Sequence, residues 1–287
     1  MPTKIEKDSL TGTDTTGHEW DGLKELNTPL PKWWLYTFYA TIAFGVVWMV
    51  IYPSLPGWKG TSGWVAREAV VAEVAAAQAR NAPMMARLRE ATPAQIAADP
   101  EMRAFATAGG RVAFANNCAG CHGAGGQGAL GGFPSLADDD WIWGGSLEAI
   151  QHTIRHGIRA NESDDQRQSM MPRFGADNLL TRAQIDDTAE YVLSLSGRAT
   201  DQAAAARGQA IFAEQCASCH GERGEGNREF GAPRLNDQVW LYGGSKREIV
   251  AMISNPRAGV MPAWQGRLDP AIVNMLTVYV HSLGGGE

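Results

Sequence analysis

The spacing of hydrophobic positions divides this chain into stretches of different character. Residues 1–32 are polar, carry turn residues and show no clear period, as expected of a tail. Residues 33–52 then read WWLYTFYATIAFGVVWMVIY, and no charge falls between Lys32 and Lys59. About 20 apolar residues are what a helix needs to cross a bilayer core. Trp33, Trp34 and Tyr36 at one end, with Trp48, Tyr52 and Trp58 at the other, match the aromatic belts of such a helix. A cleaved signal peptide would be shorter, nearer the N-terminus and followed by an A-x-A-like site, so the stretch reads as a retained single anchor. From 57 to 104 the chain is Ala-rich, and Val65, Ala69, Val70, Val74 and Ala77 recur at helical spacing. Thr92-Pro93-Ala94-Gln95 supplies a cap, a first-turn proline and a capping-box glutamine for a second short helix.

The remainder is an internal repeat. Gly110-x-x-x-Phe114 matches Gly208-x-x-x-Phe212, and Pro134-x-Leu136 matches Pro233-x-Leu235. Trp141-Ile-Trp-Gly-Gly-Ser146 matches Trp240-Leu-Tyr-Gly-Gly-Ser245, Met171-Pro172 matches Met261-Pro262, and Tyr191-Val192 matches Tyr279-Val280. The offset is 99 at the Trp-Gly-Gly-Ser blocks and 90 at Met-Pro, so the second copy lacks about nine residues near 161–169. Each copy reads as helical. One helix opens near Gly110 or Gly208, a second at Ser146 or Ser245, and a third at Thr181 or Asp269-Pro270.

At 287 residues the chain suits two domains with an appendage. A net charge of −6 argues against a general nucleic-acid binder, so no nucleic-acid partner is expected. The chain has four cysteines, and all fall in two pentapeptides, Cys118-Ala-Gly-Cys121-His122 and Cys216-Ala-Ser-Cys219-His220. Cys-x-x-Cys-His is the attachment signature of a c-type haem: two thiols capture the vinyl groups and the histidine sits under the iron. A thioredoxin-type dithiol needs no histidine after the second cysteine. A zinc ribbon would set its cysteine pairs about 15–20 residues apart, whereas these lie 98 apart. A disulfide would leave both histidines unexplained. Two covalently bound haem c groups are therefore expected.

Lys4, Lys7, Lys24 and Lys32 precede the apolar stretch, whereas Lys59 and Arg67 alone fall in the twenty residues after it. The positive-inside rule then puts the N-terminus in the cytoplasm. The haem motifs fall on the periplasmic side of a bacterial inner membrane, where such haems are attached.

The repeat resembles the class I cytochrome c fold, which pairs a Gly-x-x-x-aromatic helix with an aromatic-bearing C-terminal helix. The resemblance implies a methionine across the haem from each histidine. Met171 and Met261, each directly before proline, take that place, and Met170 is the neighbouring rival to Met171. Whether each methionine serves its own copy or the other stays open, and both assignments use His122, Met171, His220 and Met261 as axial residues. His152 and His156 could offer a bis-histidine alternative in the first copy, but they have no histidine match in the second and are read first as structural or surface residues. His281 is read as a packing or solvated residue, and Met84, Met85, Met102, Met252 and Met275 as core filling.

The whole order resembles the membrane-anchored dihaem subunit of cbb3-type cytochrome c oxidases. Its entry to the membrane is matched by His18-Glu-Trp-Asp-Gly22, Glu25-Leu-Asn27, Pro29-Leu-Pro31, Trp33-Trp34 and Tyr52-Pro53. The resemblance implies an all-α chain with one transmembrane helix and two tandem cytochrome c domains. The parts are a cytoplasmic tail 1–32, a membrane helix 33–52, a periplasmic linker 53–104, and cytochrome domains 105–198 and 199–287. It also implies a non-catalytic electron-transfer subunit that takes electrons from a donor cytochrome c. Its partners would be a monohaem cytochrome subunit, the catalytic haem–copper subunit and membrane lipid. A membrane-anchored carrier, a cytochrome subunit of another respiratory complex, or a dihaem peroxidase are the alternatives. The acidic runs Asp138–Asp140, Asp164-Asp165 and Asp186-Asp187 are read first as solvated loops and helix faces, and second as a surface steering a basic donor.

Overall fold

The computed structural model describes residues 4–287, so the first three residues of the expected tail lie outside the described ones. The chain forms two compact units, Met1–Arg80 and Asn81–Glu287. In the first, β1 (Thr15–Trp20) and β2 (Leu23–Leu26) form an antiparallel hairpin. Asp21 and Gly22 turn it, both at positive φ, +50° and +87°. That is the pairing a two-residue hairpin turn demands. Helix α1 (Lys32–Ile51) follows as the apolar stretch predicts, and it is long and apolar enough to cross a membrane with none of its residues buried.

Helix α2 (Ala66–Glu90) leads from the first unit into the second. In the second unit α3 (Pro93–Ala98) has the capping box expected at Thr92 and Gln95. Helix α4 (Pro100–Asn117) opens ten residues earlier than the expected start at Gly110, because Asp99 caps it through the Glu101 and Met102 amides and Pro100 occupies its first position. Then come α5 (Ala119–His122), α6 (Leu147–His156) and α7 (Arg182–Leu195). The second copy supplies α8 (Gln202–Gln215), α9 (Ala217–His220), α10 (Lys246–Ser254) and α11 (Pro270–His281). Caps at Ser146, Thr181, Ser245 and Asp269 fall where the sequence puts them. Mostly helical with two tandem Cys-x-x-Cys-His motifs, the chain departs from all-α, among the described residues, in its one two-stranded sheet, the small hairpin.

The helices pair across the repeat. The α4 helix packs on α11, and α7 packs on α8. Only residues 196–201 join α7 to α8, and so short a connection makes sequential helices neighbours. Gly110 sits at the first crossing, where a Cβ would overlap the Met275 carbonyl and lie 2.6 Å from Tyr279 Cβ. Gly208 sits at the second, where a Cβ would overlap the Asp187 carbonyl. Phe114 meets Tyr279 with ring centroids 5.4 Å apart, and Phe212 meets Tyr191 at 5.0 Å. Each Gly-x-x-x-Phe helix of one copy thus closes on the aromatic helix of the other.

Three apolar clusters result. One gathers Phe114, Ile150, Ile154, Leu276 and Val280 beside Cys118; another gathers Phe174, Val192, Phe212, Ile249 and Ile253 around Cys216. A third buries Leu88, Ile96, Ala106, Ala271 and Met275, so the end of the linker is built into the folded unit. Met84, Met85 and Met102 pack against this third cluster, the core role read for them. The stretches 105–198 and 199–287 therefore each supply the N-terminal half of one core and the C-terminal half of the other. Buried Glu190 ties the exchange together. It accepts from the Thr200 and Asp201 amides at 2.9 and 3.2 Å and from the Thr200 hydroxyl at 3.0 Å, and pairs with Lys246 at 2.8 Å. Burial pushes its carboxyl up, but Lys246 and these donors prevail and hold it at about 2.

Candidate haem-binding sites

Each Cys-x-x-Cys-His folds as a single turn at the end of a helix. The Cys121 and His122 amides donate to Cys118 O at 3.1 and 2.9 Å, and the Cys219 and His220 amides to Cys216 O at 3.1 and 3.0 Å. Gly123 and Gly221, at φ +79° and +80°, end the two turns. One turn of helix thus presents two sulfurs and an imidazole together. No disulfide joins the four cysteines, all of them among the described residues. Burial, aided by the neighbouring thiol, pushes Cys118 and Cys216 up to about 11.

The two imidazoles are held alike. His122 Nδ1 lies 3.1 Å from Pro134 O, and His220 Nδ1 lies 3.0 Å from Pro233 O. A nitrogen facing a carbonyl must carry the proton and donate it, which leaves Nε2 as the metal-binding atom. Burial lowers both histidine pKa values against the opposing pull of that carbonyl, which favours the neutral ring. The Pro-x-Leu blocks of the repeat are therefore the outer supports of the histidines.

One continuous cavity is lined by both motifs and by Met171 and Met261. Met261 packs against the cluster beside Cys118, together with Trp264, whereas Met171 packs against the cluster around Cys216. Each methionine thus packs against the cluster next to the other copy's cysteine motif. Met170 is 70% exposed, while Met171 is half-buried. Met252 lines the cavity instead of filling a core. His152 and His156 lie with ring centroids 4.7 Å apart on α6, bind the loop after that helix, and do not line the cavity. His281 binds Glu287 O at 3.0 Å.

These residues fit haem. The walls are aromatic and aliphatic, each motif offers two thiols and one free imidazole nitrogen, and a thioether stands across the same space. Trp240 Nε1 lines the cavity, is buried and has no hydrogen-bond partner. Such a donor calls for an acceptor, and the acid side chains of a haem would supply one.

Sequence reasoning missed how the two halves of the cavity meet. Trp143 and Tyr242 occupy matched places in the Trp-Gly-Gly-Ser blocks. The ring of Trp143 covers Gly231, and that of Tyr242 covers Gly132, so a Cβ at either glycine would overlap the ring. The glycines themselves are 99 apart, the offset of those blocks, and that was the available signal. Arg159 also went unnoticed; it lines the cavity and donates to Gly259 O at 2.8 Å and Ser169 O at 3.0 Å. Among the acidic runs, Asp187 is engaged with Arg207 at 2.6 and 2.8 Å, and Asp140 is raised by burial and by the nearby Asp237 and Asp138.

Comparison with known proteins places matches along the chain. The family described as N-terminal domain of cytochrome oxidase-cbb3, FixP, matches residues 12–59, cytochrome c matches 106–196, and cytochrome C oxidase, cbb3-type, subunit III matches 203–280. The chain is similar to the Cbb3-type cytochrome c oxidase subunit FixP of Bradyrhizobium sp. (strain ORS 278), with 50% identity covering 100% of both chains. The FixP subunit of Azorhizobium caulinodans is 52% identical, over 98% of this chain and 96% of that one. The CcoP subunit of Cereibacter sphaeroides is 44% identical, over 100% of both.

Proposed function

Because this chain belongs to the family of cbb3-type cytochrome c oxidase subunit III, the FixP and CcoP subunits, we propose that it is the dihaem electron-transfer subunit of such an oxidase. It carries one haem c on Cys118 and Cys121 and another on Cys216 and Cys219. His122 and Met261 would hold one haem iron, and His220 and Met171 the other. Haem, when bound, supplies one-electron iron chemistry at a potential raised by thioether and imidazole ligation. The chain does the rest. Two thioether links prevent loss of each group, and the Pro134 and Pro233 carbonyls hold the imidazoles in the ligating tautomer. With a histidine and a methionine both supplied by the chain at each site, the subunit would conduct electrons and not catalyse. Electrons enter from a donor cytochrome c and leave toward the monohaem subunit and the haem–copper centre.

The parts of the chain follow from that role. Residues 1–32 form a cytoplasmic tail, 33–52 a membrane anchor in lipid, 53–104 a periplasmic linker, and 105–198 and 199–287 two cytochrome repeats with exchanged C-terminal halves. The anchor turns a diffusional meeting with the oxidase into a local one at high effective concentration. The observation that carries the reading is the twofold arrangement of the site: a carbonyl-held histidine and a Met-Pro across one apolar cavity, twice. Gentle purification through a C-terminal tag tests it. A chain mass raised by two haems, co-purifying with copper, b-type haem and oxygen consumption, is the expected result. A bare polypeptide mass, or a haem-loaded chain that purifies without an oxidase, refutes it.

A further inference from the structure

The first repeat copy is the longer by about nine residues, near 161–169, and haem attachment gives no reason for them. The structure shows a built loop. It leaves α6 through Arg159 and Asn161, both in the left-handed region at φ +52° and +55°. It returns through Arg167, whose amide donates to Gly157 O at 3.1 Å and whose carbonyl accepts from the Arg159 amide at 3.0 Å. His152 Nε2 lies 2.9 Å from Asp165 O and His156 Nδ1 2.9 Å from Ser163 Oγ, which fastens the loop to α6.

What the loop grips is the segment around Met261, in the other copy. Ile158 and Met261 exchange two backbone hydrogen bonds, at 2.9 and 3.0 Å. One carboxylate oxygen of Glu162 accepts from the Ala263 amide at 3.0 Å, and the other binds Arg267 at 2.6 Å. Trp264 and Gln265 amides donate to Ile154 O and Arg155 O, each at 3.1 Å. The Met171 segment is held more loosely. Its ties to other elements are fewer: the Arg159 guanidinium on Ser169 O at 3.0 Å, two residues before the methionine, and the Gly175 and Ala176 amides on Ser254 O, four and five residues past it. Among the described residues no backbone pair meets Met171 itself, and no carboxylate stands where Glu162 stands, because the second copy lacks the loop.

We propose that Glu162 is a positioning residue for Met261, so that the thioether opposite His122 is the less displaceable of the two. A charge-assisted hydrogen bond to the Ala263 amide, two residues from the sulfur-bearing one, fixes the ligand segment before iron is met. Preorganisation of this kind slows ligand loss without touching the metal. The proposal rests on the reading that Met261 serves the His122 site.

The test uses the full anchored chain, haem-loaded and oxidised in detergent, with imidazole added to displace methionine. The weak red charge-transfer band of ferric haem–methionine reports the loss. Two phases are expected, the slow one belonging to Met261, and Met261→Leu removes it. Glu162→Ala accelerates that slow phase about tenfold, equivalent to about 1.4 kcal/mol, and leaves the fast phase unchanged as evidence of an intact fold. Glu162→Gln, which keeps an acceptor for the Ala263 amide, falls between. If Met261→Leu removes the slow phase but Glu162→Ala leaves its rate alone, the proposal is overturned and the ligand assignment stands. If Met261→Leu spares both phases, the assignment itself is wrong and the proposal goes with it.

Discussion

The exchange of C-terminal halves makes a sharp prediction about energetic coupling. Phe114 is 1% exposed and packs its ring at a tilt against that of Tyr279, which lies 165 positions away. In a chain of two self-contained repeats its partner would be Tyr191, the matched tyrosine of its own copy. Replacing Phe114 by Ala empties a fully buried site and costs about 3–5 kcal/mol. An aromatic pair at this separation adds about 0.5–1.5 kcal/mol beyond the buried area. The double-mutant cycle of Phe114→Ala with Tyr279→Ala should therefore show coupling of about 1 kcal/mol. The cycle of Phe114→Ala with Tyr191→Ala should be additive within about 0.5 kcal/mol, as for residues that do not touch. Guanidinium unfolding of the haem-loaded chain, followed by haem absorbance, supplies all the terms. Coupling of Phe114 to Tyr191 in place of Tyr279 would refute the exchanged packing and, with it, the cross-copy assignment of the methionines.

Other outcomes follow from single contacts. Gly231→Ala should cost about 2–4 kcal/mol, combining a strained φ of +58° with overlap of the Trp143 ring, and it should perturb both haem spectra because the two halves of the cavity meet there. Glu190 is held below its ordinary value of 4.5, at about 2, so its contribution is full above pH 4.5 and lost as pH falls toward 2. Acid unfolding of Glu190→Gln should be correspondingly flatter across that window, and an unchanged profile would dismiss the buried pair as a stabiliser. Met170→Leu should leave both ferric haem–methionine signatures in place, whereas Met171→Leu should abolish one. Neutralising Asp138–Asp140 in the assembled oxidase should flatten the dependence of donor turnover on ionic strength if these residues steer a basic donor; an unchanged slope removes that role.

Much of this architecture was legible in the sequence because its signals are local. The Cys-x-x-Cys-His turns are written in five adjacent residues, the helix of membrane-crossing length in one uncharged run, and the helix starts at Thr92, Ser146, Thr181 and Ser245 in caps whose hydrogen bonds span three positions. The hairpin at 15–26 was missed, although Asp21-Gly22 is a turn signal, because its strands do not alternate apolar and polar residues. Pairing between the copies was beyond reach for a different reason. Gly110 is compatible with either aromatic helix, since Asp187–Tyr191 and Met275–Tyr279 offer equivalent surfaces, and only the brevity of residues 196–201 decides between them. Glu162 was hidden because its function lies in a contact 101 positions away with a backbone amide, which no side-chain pattern can betray.

The six residues between Leu195 and Gln202 carry a consequence for biogenesis. In order of synthesis, the wall that shuts the earliest-made pocket is the last helix to arrive. The pocket around Cys216, whose helices end at Ser254, can close while α11 is still being made. Under the proposed function, attachment chemistry at Cys118 would have an open target until that helix is made, and a chain cut short before Pro270 would leave its first haem fastened yet unsheltered.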